Sequence, residues 1–152
     1  MRHALQTLLR QDEKLSECLA THKGHSLLYW VSSPRKAAGK FPSAVLSVVS
    51  PLPIYDQKGK ASFSSTRVQV DIYALGNLQK AADAMTRVEE LLGAIQTRAG
   101  QAPLKVLDTA FERVEVEGAR DMPVTPNPDG VDIYHISGDF VIWHRPHLAV
   151  EQ

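Results

Sequence analysis

A chain of 152 residues is expected to form one domain, residues 1–152, and folding at this size buries roughly 70% of the unfolded surface, so no disulfide or metal staple is required. Hydrophobic residues make up 43% and charged residues 22%, with no low-complexity tract, which excludes a disordered or fibrous chain. Seventeen basic and seventeen acidic side chains cancel, which excludes a long-range field that would draw the protein onto nucleic acid or an anionic membrane.

The lone cysteine, Cys18, excludes an intrachain disulfide framework and a cysteine-rich zinc site and fits a reducing compartment. No apolar run reaches the length of a membrane span, and Met1 to Arg10 lacks the apolar segment and cleavage site of a secretory signal. The expected compartment is a cytoplasm.

Leu5, Leu8 and Leu9 share one helical face, and Asp12 is placed to cap a second short helix carrying Leu15, Cys18 and Leu19. The first helix is therefore expected to break near Gln11 and to close at His22-Lys-Gly-His25, with Gly24 free to adopt a left-handed terminus. A short strand follows at Leu27-Leu-Tyr-Trp-Val31, then a basic loop, Arg35 to Lys40, then a buried strand carrying Val45, Leu46, Val48 and Val49. Pro51 and Pro53 are expected to end that strand, and Tyr55 to Ser62 to form the mobile loop of a long hairpin.

Val68, Val70, Ile72 and Ala74 alternate with Arg67, Gln69, Asp71 and Tyr73, the period of a strand with one buried face. After Gly76, Asn77 stands where a helix cap belongs, and Leu78, Ala81, Ala82, Met85, Val88, Leu91, Leu92 and Ile95 recur at helical spacing. Asp83 and Arg87 lie four apart on its polar side, and Gly100 and Pro103 mark its end. Strand regions at Leu104 to Glu117 and Val131 to His144 close the chain, with a bulge expected at Ser137-Gly138. Between them Gly118 to Gly130 holds Pro123, Pro126 and Pro128 and reads as a surface loop. The expected class is α+β: a single mixed, largely antiparallel sheet with two main helices packed on one face.

The candidate chemistry is thin. Gly76 opens a strand-to-helix turn but lacks companion glycines and a following Lys-Ser/Thr pair, so it reads as a corner instead of a phosphate loop. His144 and His147 flank Pro146, and His22 and His25 flank Gly24, with no nearby Cys, Asp or Glu to complete a metal set. No Gly-x-Ser-x-Gly elbow exists, and Cys18 keeps helical spacing with leucines, a core habit. Glu112-Arg-Val-Glu-Val-Glu117 alternates charge with valine, as a solvated sheet face does, and the basic residues of the loops form no dense stripe with interleaved aromatics. The residues imply no catalysis and no cofactor.

Four segments in order resemble the tail-terminator or tail-completion family of long-tailed phages and related gene-transfer particles. They are the leucine-rich opening with Asp12-Glu-Lys-Leu15, the Phe41-Pro-Ser-Ala-Val-Leu46 strand, Arg67-Val-Gln-Val-Asp-Ile-Tyr-Ala74 with the alanine-rich helix through Gly93, and the closing Tyr134-His-Ile-Ser-Gly-Asp-Phe-Val-Ile-Trp143. The resemblance implies a non-enzymatic virion protein. It would form a six-fold ring that caps the tail tube, ends its polymerisation and meets a head-connector protein. DNA would pass through that ring without specific contact, and the particle would assemble in the host cytoplasm.

Such a ring needs contacts in which one patch meets a different patch. The exposed candidates are the strand edges and the loops bearing Arg35, Lys36, Lys40, Asp56, Lys58, Lys60, Arg120 and Asp121. The alternatives are a small-molecule-binding α+β regulatory domain and a hydrolase whose site no motif marks, which turnover lost on replacing His144 or His147 would reveal.

Overall fold

The computed structural model describes residues 1–31, 40–56 and 59–146, with side chains described outside the stretch 52–63. In chain order the elements are α1 (Arg2–Arg10), α2 (Glu13–Cys18), β1 (Thr21–His22), β2 (His25–Ser26), β3 (Leu28–Trp30), β4 (Ser43–Asp56), β5 (Gly59–Leu75), α3 (Leu78–Gly93), β6 (Leu104–Val106), β7 (Thr109–Thr125) and β8 (Ile133–Pro146). Strands β1 and β2 form a small hairpin, and the other strands make one sheet in the order β3-β4-β5-β8-β7-β6. Within that sheet β3 runs parallel to β4 and all other neighbours are antiparallel. The fold is α+β, as the alternation and helical spacings imply. Helix α1 touches both β3 and β6, the two ends of the sheet, so the sheet curls around it.

Capping residues place the helices. The backbone of Asp12 is extended, and its carboxylate accepts the Leu15 N–H at 2.8 Å, separating α2 from α1 near the expected Gln11 break. Asn77 does the same for α3 by accepting the Gln79 N–H at 2.9 Å. Helix α2 stops at Cys18, well before His22. Lys23 (φ 52°) and Gly24 (φ 79°) instead form the two-residue turn of the β1–β2 hairpin, where two positive φ values match the twist of paired strands. The expected Asp83–Arg87 pair is not made. Asp83 accepts from Gln79 at 2.7 Å, while Arg87 grips Asp12 at 3.0 and 2.7 Å and Glu90 at 2.9 Å, tying α3 to the cap of α2.

The core lies between the sheet and the helices. Val68, Val70, Ile72 and Ala74 of β5 are fully buried, and Ala81, Ala84, Met85, Val88 and Leu92 of α3 pack over them with Leu5 and Leu9 of α1. The register of β5 with β8 runs unbroken from Ser64↔His144 to Leu75↔Ile133, so the bulge expected at Ser137-Gly138 is absent. The buried run there has another cause. A Cβ on Gly138 would lie 2.8 Å from the Met85 sulfur, so the missing side chain lets Met85 settle onto the sheet, while Ser137 and Asp139 are buried on the opposite face.

The bulges lie in the outer strands, at Val48/Ser50 and Pro53/Tyr55 in β4 and at Phe111/Arg113, Val116/Gly118 and Met122/Thr125 in β7. They explain why Pro51 and Pro53 do not end a strand and why Pro123 sits inside one, against the sequence expectation. Ala44 N–H donates to Leu27 and Leu46 C=O accepts from Val31, so even-numbered residues of β4 point their backbone groups away from β5. The Val48/Ser50 bulge shifts that phase by one, and Pro51 and Pro53 fall where a missing N–H costs no ladder bond. In β7, Val114 N–H points outward to Ile95, and the Val116/Gly118 bulge moves the outward phase to Ala119, Asp121 and Pro123. Residues 118–125 therefore belong to β7, and only the remainder of the expected loop lies outside it.

Candidate functional site

The face of the sheet opposite the helices carries a polar network that alternation alone places there. Arg67, Gln69, Asp71 and Tyr73 of β5 stand beside His135, Ser137 and Asp139 of β8, with Glu117 and Arg120 of β7 next in line. Asp71 accepts from Gln69 Nε2 at 3.0 Å and from His135 Nε2 at 2.8 Å, and the His135 ring stacks on Tyr73 with centroids 4.3 Å apart. Asp139 pairs with Arg120 at 2.6 Å, and Arg67 lies 2.5 Å from Glu117 and 3.9 Å from Asp139. Burial, followed by the Asp71 charge, raises the Tyr73 pKa, and the bond to Asp139 raises that of Arg120.

This network brings together Ser137, His135 and Asp71, the residue types of a hydrolytic triad. Their geometry does not serve that chemistry. Ser137 is fully buried and its Oγ makes no hydrogen bond in the structure, whereas a nucleophile must reach both its base and a substrate. Positive Arg67 and Arg120 are matched by Asp71, Asp139 and Glu117, so the face offers no basic stripe to nucleic acid. Among the described residues, no group of three His, Cys, Asp or Glu could hold a metal ion, and no helix is long and apolar enough to cross a membrane.

The open clefts are similarly poor in convergent chemistry. One of about 620 Å³ lies between the end of α3 and β6, with Leu91, Ala94, Ile95 and Leu104 on its walls. Cys18 lines a smaller one beside Pro42, Lys80 and Asp83, and burial raises its thiol pKa, which disfavours the reactive thiolate. His144, the last residue of the expected closing strand, sits within β8 with Nε2 2.9 Å from Thr66 Oγ1, while His147 lies outside the described residues.

Of the eight residues anticipated at an interface, Lys40 is exposed with Nζ 3.3 Å from His22 Nδ1. Arg35, Lys36 and Lys58 lie outside the described residues; Asp56 and Lys60 lie within β4 and β5, and their side chains are outside the description. Arg120 and Asp121 are neighbours on β7 and project to opposite faces, Arg120 toward Asp139 and Asp121 toward α3. The residues that sequence reasoning missed are the partners across strands. The alternation of Arg67, Gln69, Asp71 and Tyr73 with buried residues marked an outer face on β5, but only the register joins His135 to Asp71 and Asp139 to Arg67.

No family model and no curated protein matches the sequence. Among solved structures, the chain is similar to a chain in the virion of a native gene transfer agent (GTA) particle, with a TM-score of 0.67 and 16% identity, covering 95% of this chain and 94% of that one. The likeness is one of fold, and it runs nearly end to end.

Proposed function

We propose that this chain is a structural protein of a phage-like particle: a subunit of a six-fold ring that caps the tail tube, stops its polymerisation and joins tail to head. The observation that carries this reading is the end-to-end likeness of fold to a chain of a gene transfer agent virion. The four ordered segments that resemble tail-terminator proteins point the same way, as does an outer face whose charges are already matched by their neighbours. In this reading the whole chain, 1–152, works as one domain, and its partners are copies of itself, the tail-tube protein and a head-connector protein. The mechanism is geometric: docking on the last tube ring covers the surface that another tube subunit would need, and no bond is made or broken.

Purified protein examined by light scattering and negative-stain microscopy tests this, alone and with polymerising tail tubes. Discrete rings seated at tube ends, with tubes of arrested length, are the expected result. Tubes that lengthen unchecked with the protein bound nowhere would refute it. The apolar cleft at the end of α3 favours a second reading, a small-molecule-binding regulatory domain. A monomer whose thermal midpoint rises on adding a metabolite mixture, and falls back when Ile95 is replaced by Asp, would select that reading.

A further inference from the structure

The two long edges of the sheet differ in what they expose. On the β3–β4 side, Val31 is 70% exposed and Val49 51% exposed. Val31 also has φ 67°, a left-handed conformation that a β-branched residue adopts only under strain. Lys40 and Lys23 stand on the same side of the molecule, exposed and without a carboxylate partner among the described residues. On the opposite side, α3 and β7 bound a groove of about 140 Å³ floored by Ala82, Met85, Ala119 and Ile136. Glu89 and Asp121 stand on its rim and make no ion pair among the described residues, and Val116, 40% exposed, lies further along the same edge.

The register places Val31 and Val49 at the heights of Ala119 and Val116. Ala44, four residues past Lys40, lies on the rung Ala44↔Ile72↔Ile136↔Asp121. Val31 bonds to Leu46, whose rung runs Leu46↔Val70↔Gly138↔Ala119, and Val48, beside Val49, shares the rung Val48↔Val68↔Phe140↔Val116. A second copy carried sideways across the sheet would thus meet the groove over Ala119 with Val31 and Val116 with Val49, with Lys40 in the segment leading into the rung of Asp121. The bulges and the outward-facing Pro51, Pro53 and Pro123 interrupt both edges, as edges guarded against strand addition do.

From this we infer that the β3–β4 edge of one copy docks against the α3–β7 groove of the next, through side chains and without a continuous backbone ladder. Val31 is the knob, the groove its hole, and Lys40 with Glu89 and Asp121 sets the direction. The contact is heterologous, so it repeats head to tail. It rests on the ring reading above and names the surface that would close that ring.

The test uses the full chain and sedimentation velocity over a concentration series. Val31→Asn suits a left-handed backbone better than valine does, so the subunit's thermal midpoint is expected to hold or rise while self-association weakens about tenfold or more. Asp121→Lys and Lys40→Glu are each expected to weaken association, and the double variant to regain it. Rings that persist unchanged in Val31→Asn, or a double variant no better than either single one, would overturn the docking surface while leaving the ring reading intact. A wild-type chain that stays monomeric even on tail tubes would remove both.

Discussion

The two faces of the β5–β8 pair are built from alternate residues of the same strands, yet they are held by different physics. The helix face is a dry core in which Val68, Ile72, Phe140 and Ile142 are fully buried and depend on volume. On the outer face Asp71 and Asp139 are nearly as buried, but they depend on cross-strand partners from β7 and β8. The lesson is that burial alone does not rank positions: a core face is sensitive to lost volume, and a compensated polar face to lost partners.

The sharpest test of that contrast is Phe140→Ala against Val141→Ala, adjacent residues on opposite faces. The first empties a fully buried site and should cost about 3–5 kcal/mol in urea unfolding. The second trims a partly exposed side chain and should cost about 1 kcal/mol or less. Equal losses would erase the distinction between the faces. Next in size is Asp12→Ala, which removes both the cap of α2 and the two-pronged grip of Arg87, for an expected loss of about 2 kcal/mol. Because Arg87 holds the Asp12 carboxyl below its ordinary value, the stability it adds is present above pH 3.8 and is lost as pH falls further.

Those cases also mark what was legible in the sequence. The period of β5, the Asn77 cap and the Asp12 break follow from neighbours a few residues apart, where propensity and spacing act. The strand at residues 118–125 was not legible, because whether a proline breaks a ladder depends on whether its nitrogen faces the neighbouring strand, which bulges elsewhere in β7 decide. Arg87 was misassigned for a similar reason: the i−4 carboxylate of Asp83 is close in sequence, but Asp12, distant in sequence, offers two oxygens in the fork geometry that a guanidinium favours. The outer network was hidden until β5 and β8 were in register.

A smaller effect separates the rim of the core from its centre. His144 lies at the core-side end of β8 against Thr66, and burial, helped by the nearby amino terminus, pushes its imidazole from 6.5 down to about 4. The unfolded chain therefore binds the extra proton first. Stability from this group is whole above pH 6.5 and is lost as pH falls toward 4. Discounted for the ring's partial exposure, the loss is about 1–2 kcal/mol. His144→Gln should flatten that part of the stability profile, measured as the difference from wild type between pH 7 and pH 4. A profile unchanged by the substitution would place the titrating group elsewhere.

The smallest expected effect bears most directly on how the outer face is held. Ser137 is fully buried between two aspartates on that face, and its hydroxyl makes no hydrogen bond in the structure. A buried hydroxyl without a partner has given up its water for nothing, at a cost of about 1–3 kcal/mol. Ser137→Ala removes that burden and little volume, so it should be neutral or stabilising by about 1 kcal/mol in urea unfolding. Asp139→Ala on the same strand and face should instead destabilise, since Arg120 and Arg67 lose the carboxylate they share. If Ser137→Ala destabilises as much as Asp139→Ala, the hydroxyl has a partner in solution and belongs to the network after all.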